Sequence, residues 1–162
     1  MKQQTVCFTG HRMLAAAERA TLEWRLEKTV SDLAAVGYRY FGAGGALGFD
    51  TIAAETVLRL REKNKEIKLI LVLPCYNQAD NWPVADRAKY AYLKAQADKV
   101  VYTAKSYHDG CMQVRNRRLV DCSSVCVAYL KHPTGGTAYT VRYARENGLR
   151  IINLAGPEKE DV

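Results

Sequence analysis

Gly42-Ala43-Gly44-Gly45-Ala46-Leu47-Gly48-Phe49-Asp50 separates a β-patterned run, Tyr38 to Phe41, from a stretch of helical periodicity running from about Asp50 to Lys63. A glycine cluster at such a junction is a strand-to-helix turn, because glycine accepts positive φ and lets backbone approach another group closely. The same unit precedes it. Thr5 to Thr9 is a short β-rich run closed by Gly10, and Met13 to Val36 then carries Leu22, Leu26, Val30 and Leu33 at helical spacing until Gly37 stops it. The unit also recurs downstream. Ile67 to Leu73 is a continuous apolar run of the kind a strand buried on both faces needs, and it ends at Pro74. A polar loop to Pro83, a helix over Val84 to Ala97, a strand over Val100 to Thr103, a helix over Met112 to Asp121 and a strand over Ser124 to Tyr129 continue the alternation. Pro133-Thr134-Gly135-Gly136-Thr137 opens a last helix to about Asn147, Gly148 caps it, and Arg150 to Leu154 makes a sixth strand.

Six strands alternating with five helices through short loops predict an α/β fold. Parallel neighbours need crossover connections, and right-handed crossovers put helices on both faces, so the expected architecture is a Rossmann-like three-layer α/β/α sandwich with a mostly parallel sheet. At 162 residues the chain suits one domain, expected over 1–157, with Glu158 to Val162 as a disordered tail. The longest aliphatic run, Leu69 to Leu73, is far short of a membrane span, and the N-terminal stretch is interrupted by Gly10-His11-Arg12 too soon for a signal peptide. A cytoplasmic location and no membrane partner follow as expectations. Five cysteines without paired C-x2-C spacing read as reduced thiols rather than a metal site. The net charge of +7 is scattered: Arg59, Arg61, Lys63, Lys65 and Lys68 are interleaved with Glu62 and Glu66, which fits a solvated helix face better than a nucleic-acid surface.

In open parallel sheets ligands bind beyond the carboxyl ends of the strands, where helix N-termini offer unpaired N–H groups. The loops expected there are Thr9-Gly10-His11-Arg12, the glycine cluster through Asp50, Pro74-Cys75-Tyr76-Asn77-Gln78 and Pro133 to Thr137. Two glycine-rich turns on one edge, Gly44-Gly45-x-x-Gly48 and Gly135-Gly136-Thr137, fit a phosphate-bearing ligand held at two points. The first is no P-loop, since Gly48 is followed by Phe49-Asp50 rather than Lys-Ser/Thr, and it is no dinucleotide fingerprint, since the glycines follow the second strand. Arg12 and Arg115 match phosphate with paired donors. Asp50 can cap its helix or accept a ribose hydroxyl, and Glu55 can approach the pocket or lie on the helix surface. Tyr76 and Trp82 can stack on a base or pack at the rim. His11 is an acid-base candidate or a hydrogen-bonding loop residue, whereas His108 and His132 have no visible companion.

Taken in order, Phe8-Thr9-Gly10-His11-Arg12, Gly44-Gly45-Ala46-Leu47-Gly48-Phe49-Asp50 with Ala53-Ala54-Glu55, Leu73-Pro74 with Asn77-Gln78 and Trp82, Arg115-Asn116 with Val120-Asp121, and Gly135-Gly136-Thr137 resemble the YpsA-like branch of the SLOG superfamily. The resemblance runs from about Val6 to Leu154 and implies kinship with the Lonely Guy phosphoribohydrolases, the so-called lysine decarboxylase family, and DprA. It implies a nucleotide-derived ligand of NAD, ADP-ribose or nucleoside-phosphate type, no required cofactor, phosphate held by Gly44, Gly45, Gly135, Gly136 and Thr137, and Arg115 and Asn116 lining the pocket. It also implies a link to cell division; a homodimer is expected on general grounds. One departure bears on catalysis. The hydrolases carry Pro-Gly-Gly-x-Gly-Thr-x-x-Glu, and Thr140 stands where that Glu would be. The expected function is therefore binding or sensing without efficient catalysis. N-glycosidic hydrolysis of a nucleoside monophosphate is the alternative, and DprA-like nucleic-acid binding a second one.

Overall fold

Each strand of the protein ends at one edge of a single parallel sheet, and that edge carries all the glycine-rich loops. The computed structural model describes residues 1–156; the expected tail, Glu158 to Val162, lies outside the described residues. The elements are β1 (Thr5–Gly10), α1 (Ala16–Ala35), β2 (Tyr40–Ala43), α2 (Phe49–Lys63), β3 (Lys68–Leu73), α3 (Val84–Gln96), β4 (Lys99–Tyr102), α4 (Cys111–Asp121), β5 (Val125–Tyr129), α5 (Gly136–Glu146) and β6 (Arg150–Asn153), preceded by a 3-10 turn over Lys2–Gln4. Every expected strand and helix is present.

The strand order is β4-β3-β2-β1-β5-β6, and every pairing is parallel. The expected mostly parallel sheet is thus wholly parallel. The chain winds outward from β1 through β4 and then returns to place β5 on the other side of β1. This makes the β1–β5 boundary the topological switch point, the place where loops diverge and leave a crevice. The register there pairs Val6 with Val125 and Gly10 with Tyr129.

Two apolar layers hold the sheet. On one face Leu22, Leu26, Val30 and Leu33 of α1, Ile52, Ala53 and Val57 of α2 and Tyr90 and Leu93 of α3 close over Phe8, Phe41, Leu69 and Leu71. Phe8 stands at the centre, with ring centroids 6.3 Å from Phe41 and 6.2 Å from Phe49. On the other face Leu119 and Val120 of α4 and Val141 and Ala144 of α5 cover Cys7, Val72, Cys126 and Ala128. Cys7 and Cys126 are register partners on adjacent strands, and all five cysteines are free thiols.

Three elements start two or three residues later than expected, for identifiable reasons. Helix α1 begins at Ala16 rather than Met13, because Ala15 is extended and its carbonyl takes the first turn's N–H groups, from Glu18 and Arg19. Strand β2 begins at Tyr40 rather than Tyr38. Gly37 and Tyr38 donate back to Ala34 and Leu33 and so complete the end of α1, a closure that uses up the start of the expected strand. Helix α5 begins at Gly136 rather than Pro133, so 133–135 form the loop over the sheet edge. No described helix is long and apolar enough to cross a membrane.

Candidate functional site

Helix α2 starts where Gly48, at φ +78°, turns the chain sharply out of the glycine loop. A β-carbon on Gly48 would overlap the Arg12 backbone carbonyl, and one on Gly10 would enter the Phe49 ring. The β1 and β2 loops are therefore in direct backbone contact. The Phe49 N–H donates to the His11 carbonyl at 3.1 Å and fixes that contact.

Asp50 does not cap the helix; Gly48 occupies that position, which leaves Asp50 in the first turn. Its carboxylate curls back and accepts the Ala46 N–H at 3.2 Å, so it closes the glycine loop from inside. Asp50 is buried, and burial raises its carboxyl above the usual aspartate value against the pull of Arg115, the Ala46 N–H and Arg12.

Arg115, on the second turn of α4, reaches the same place from the opposite face of the sheet and is only 4% exposed. Its Nη1 donates to the Gly44 carbonyl and its Nε to Asn116 Oδ1 at 2.7 Å. A β-carbon on Gly44 would lie 2.5 Å from Arg115 Nη1 and 2.9 Å from Asp50 Oδ2. Gly44 is thus the gap through which the guanidinium and the carboxylate meet the loop. Burial lowers the Arg115 pKa, and the Asp50 charge opposes that shift. The Arg115 Nη2 faces the Met112 sulfur at 3.7 Å, and the exposed Arg12 places its own Nη2 3.9 Å from the same sulfur. Sulfur is a weak acceptor, so neither guanidinium is saturated there. Two cations and one carboxylate leave the group with an excess of positive charge.

The β5 loop differs in kind. Gly135 has φ +98°, and among the described residues no atom beyond the local backbone lies within 4 Å of the absent side chain of Gly135 or Gly136. Packing explains Gly10, Gly44, Gly45 and Gly48, each of which would strike a neighbour, but it does not explain Gly136. The turn opens on the N-terminus of α5, which has no side-chain cap, and Thr137 sits in its first turn. Thr140 faces inward, its hydroxyl bonded to the Gly136 carbonyl at 2.9 Å.

Other candidates fall elsewhere. Glu55 pairs with Lys89 of α3 at 3.5 Å. Tyr76 is 60% exposed beyond β3, with one ring face stacked on Tyr102 at 4.1 Å between centroids. Trp82 packs edge-on against Tyr90 beneath that loop. His11 accepts the Lys131 N–H at its Nε2, 2.9 Å away, and lies 4.9 Å from the His132 ring. Met112, Lys131 and His132 gave no sequence signal, because each acquires its neighbour only when distant segments fold together. A cleft of about 400 Å³ is lined by Glu18, Thr21, Arg25, Tyr129 and Lys131, and not by Arg12, Gly44, Asp50 or Arg115.

A wholly parallel α/β sandwich with its switch point between β1 and β5 defines a Rossmann-like domain. The family model described as the YspA SLOG family (YpsA) matches residues 9–150, and the chain belongs to that family. It is 30% identical to UPF0398 protein BH1768 of Halalkalibacterium halodurans, across 85% of this chain and 71% of that one. It is 27% identical to a UPF0398 protein of Bacillus cereus, across 69% of this chain and 62% of that one. The DNA processing protein A (DprA) of Streptococcus pneumoniae shares the fold with a TM-score of 0.68 at 19% identity, across 93% of this chain and half of that one.

Proposed function

We propose that the carboxyl-edge cleft binds the phosphate of a nucleotide-derived ligand, of NAD, ADP-ribose or nucleoside-phosphate type, and that the protein acts as a binding or sensing module. The observation that carries this reading is Gly136, a glycine that packing does not require, set on an uncapped helix N-terminus. Bare backbone N–H groups and the positive end of the helix dipole form an anion cradle, and the Arg12–Arg115 pair supplies charge at the same edge of the sheet. Tyr76 and the Gly135–Thr137 turn follow β3 and β5, three strand spacings or about 14 Å apart. A mononucleotide fills part of that edge, whereas an ADP-ribose-sized ligand spans more of it.

Adenine nucleotides or ADP-ribose at a hundredfold excess over Kd are expected to raise Tm by about 5–10 °C, from roughly 2.7 kcal/mol of linkage. Gly136→Asp removes that shift, because it sets a side chain and a negative charge in the cradle. The unliganded variant keeps its Tm or gains slightly, since the site is open and an acid at a helix N-terminus is favourable. A nucleotide panel without any shift in the wild type overturns the proposal.

Catalysis is disfavoured because the Thr140 hydroxyl is committed to its own helix and Glu55 to Lys89. Cleavage of an N-glycosidic bond needs a carboxylate to stabilise positive charge on the ribose and activate water. Incubation with AMP is expected to release no free adenine above background by chromatography. Release that falls on Glu55→Gln would establish the hydrolase in place of the sensor.

A further inference from the structure

His11 is tied at both ends to loops that are remote in sequence. Its carbonyl accepts the Phe49 N–H, which ends the β2 glycine loop, and its Nε2 accepts the Lys131 N–H, which begins the β5 loop. The next residue, Arg12, carries one of the two guanidinium groups. We infer that His11 is a positioning residue: its neutral imidazole latches the β5 loop to the β1 loop and so holds the Gly135–Thr137 turn in place relative to the Arg12–Arg115 pair. This rests on the reading of that cleft as an anion site.

The β5 loop needs such an anchor. Leu130 is held by Asn153, whose side chain donates to its carbonyl and accepts its N–H, both at 3.1 Å. The Lys131 ammonium pairs with Glu18. Beyond it, no hydrogen bond among the described residues involves 132–134, and 131–136 are all exposed. The bond to His11 is therefore the last backbone tether before the glycine turn.

An imidazole accepts at Nε2 only while that nitrogen keeps its lone pair, which places the proton on Nδ1. The groups facing the ring are His132 and Lys131 from the β5 loop, the Tyr129 ring from β5 and Glu18 from α1. Burial lowers the His11 pKa, His132 and Lys131 lower it further, and Glu18 opposes them. His11 is accordingly neutral at neutral pH. Protonation would turn Nε2 into a donor facing a donor and open the latch. With its folded pKa below the ordinary histidine value, the unfolded chain takes up the proton first. The latch's contribution is then fully present above that ordinary value and is lost as pH falls from there through the lower folded value.

The test uses the full-length 15N-labelled chain without ligand, comparing the Lys131 amide in wild type, His11→Ala and His11→Gln from pH 8 to pH 5. The expected result is a protected Lys131 amide in the wild type at pH 7.5 that loses at least tenfold protection as His11 titrates. His11→Ala is unprotected throughout. His11→Gln, whose side-chain carbonyl reaches as far as Nε2, is protected at both ends of the range. Sulfate, whose charge is constant over this range, serves as the probe at pH 7.5: its Kd is expected to rise about fivefold in His11→Ala, the net worth of one hydrogen bond, and to recover in His11→Gln. Lys131 protection that is indifferent to His11→Ala and to pH overturns the latch, as does unchanged sulfate affinity in His11→Ala. Amides that behave as expected while sulfate binds to none of the three would uphold the latch and remove the anion site.

Discussion

Arg115→Met is expected to destabilise the folded chain by about 3–5 kcal/mol, the range seen when one partner of a buried charged group is removed. Methionine fills most of the volume but donates nothing. The Gly44 carbonyl and Asn116 Oδ1 lose their donors, and Asp50, buried and already pushed above its usual pKa, loses the cation that most favours its ionised form. The pH dependence identifies the cause. A carboxyl whose folded pKa is raised costs stability above that pKa, and the cost disappears as pH falls and the group is protonated in the folded state. Urea unfolding of Arg115→Met should therefore show a smaller deficit against wild type at pH 5 than at pH 7. Adding Asp50→Asn should recover much of the loss, because the amide still accepts from Ala46 and carries no charge. A deficit under about 1 kcal/mol at both pH values would mean that Arg115 is not the counter-charge of this loop.

Gly48→Ala should be similarly damaging through steric means alone. Positive φ costs an L-residue about 1–2 kcal/mol, and a β-carbon overlapping the Arg12 carbonyl adds about 1–3 kcal/mol of repacking, because backbone cannot rotate away as a side chain does. The expected total is about 2–5 kcal/mol, with loss of ligand response as the β1 loop shifts. Gly136→Ala provides the control. With nothing within 4 Å, it should leave thermal stability within about 1 kcal/mol of wild type. Equal losses at the two positions would contradict the division between packing glycines and the open one.

The alternation of strands and helices was legible because each element carries its own periodicity: Leu22, Leu26, Val30 and Leu33 mark one stripe of α1 whatever they pack against. The carboxyl-edge placement of the loops followed from parallel topology alone. Less legible was what each glycine is for. Gly44 and Gly136 look alike in sequence, yet one makes room for a guanidinium 71 residues away and the other faces open space. Asp50 was ambiguous for a local reason, since a two-residue shift in the helix start converts a cap into a loop clasp. His11 and Lys131 are 120 residues apart, and no local pattern relates them.

The central position of β1 has a kinetic consequence. Val6 must wait for Val125 before its second edge is covered, so the middle of the sheet is completed by a contact of very long sequence separation. Such closures are slow, and during synthesis the leading strand keeps one bare edge until most of the chain has left the ribosome. The cleft straddles this late seam, since Arg12 and Gly44 precede it and Arg115 and Gly136 follow α4's start. Partial opening of the β5–α5–β6 segment would dismantle the proposed anion cradle while the β1–β4 portion stays folded. A bound anion would then act as a fastener on that segment, raising its opening free energy ahead of the global one, and slow amide exchange confined to β5 and β6 would be its signature.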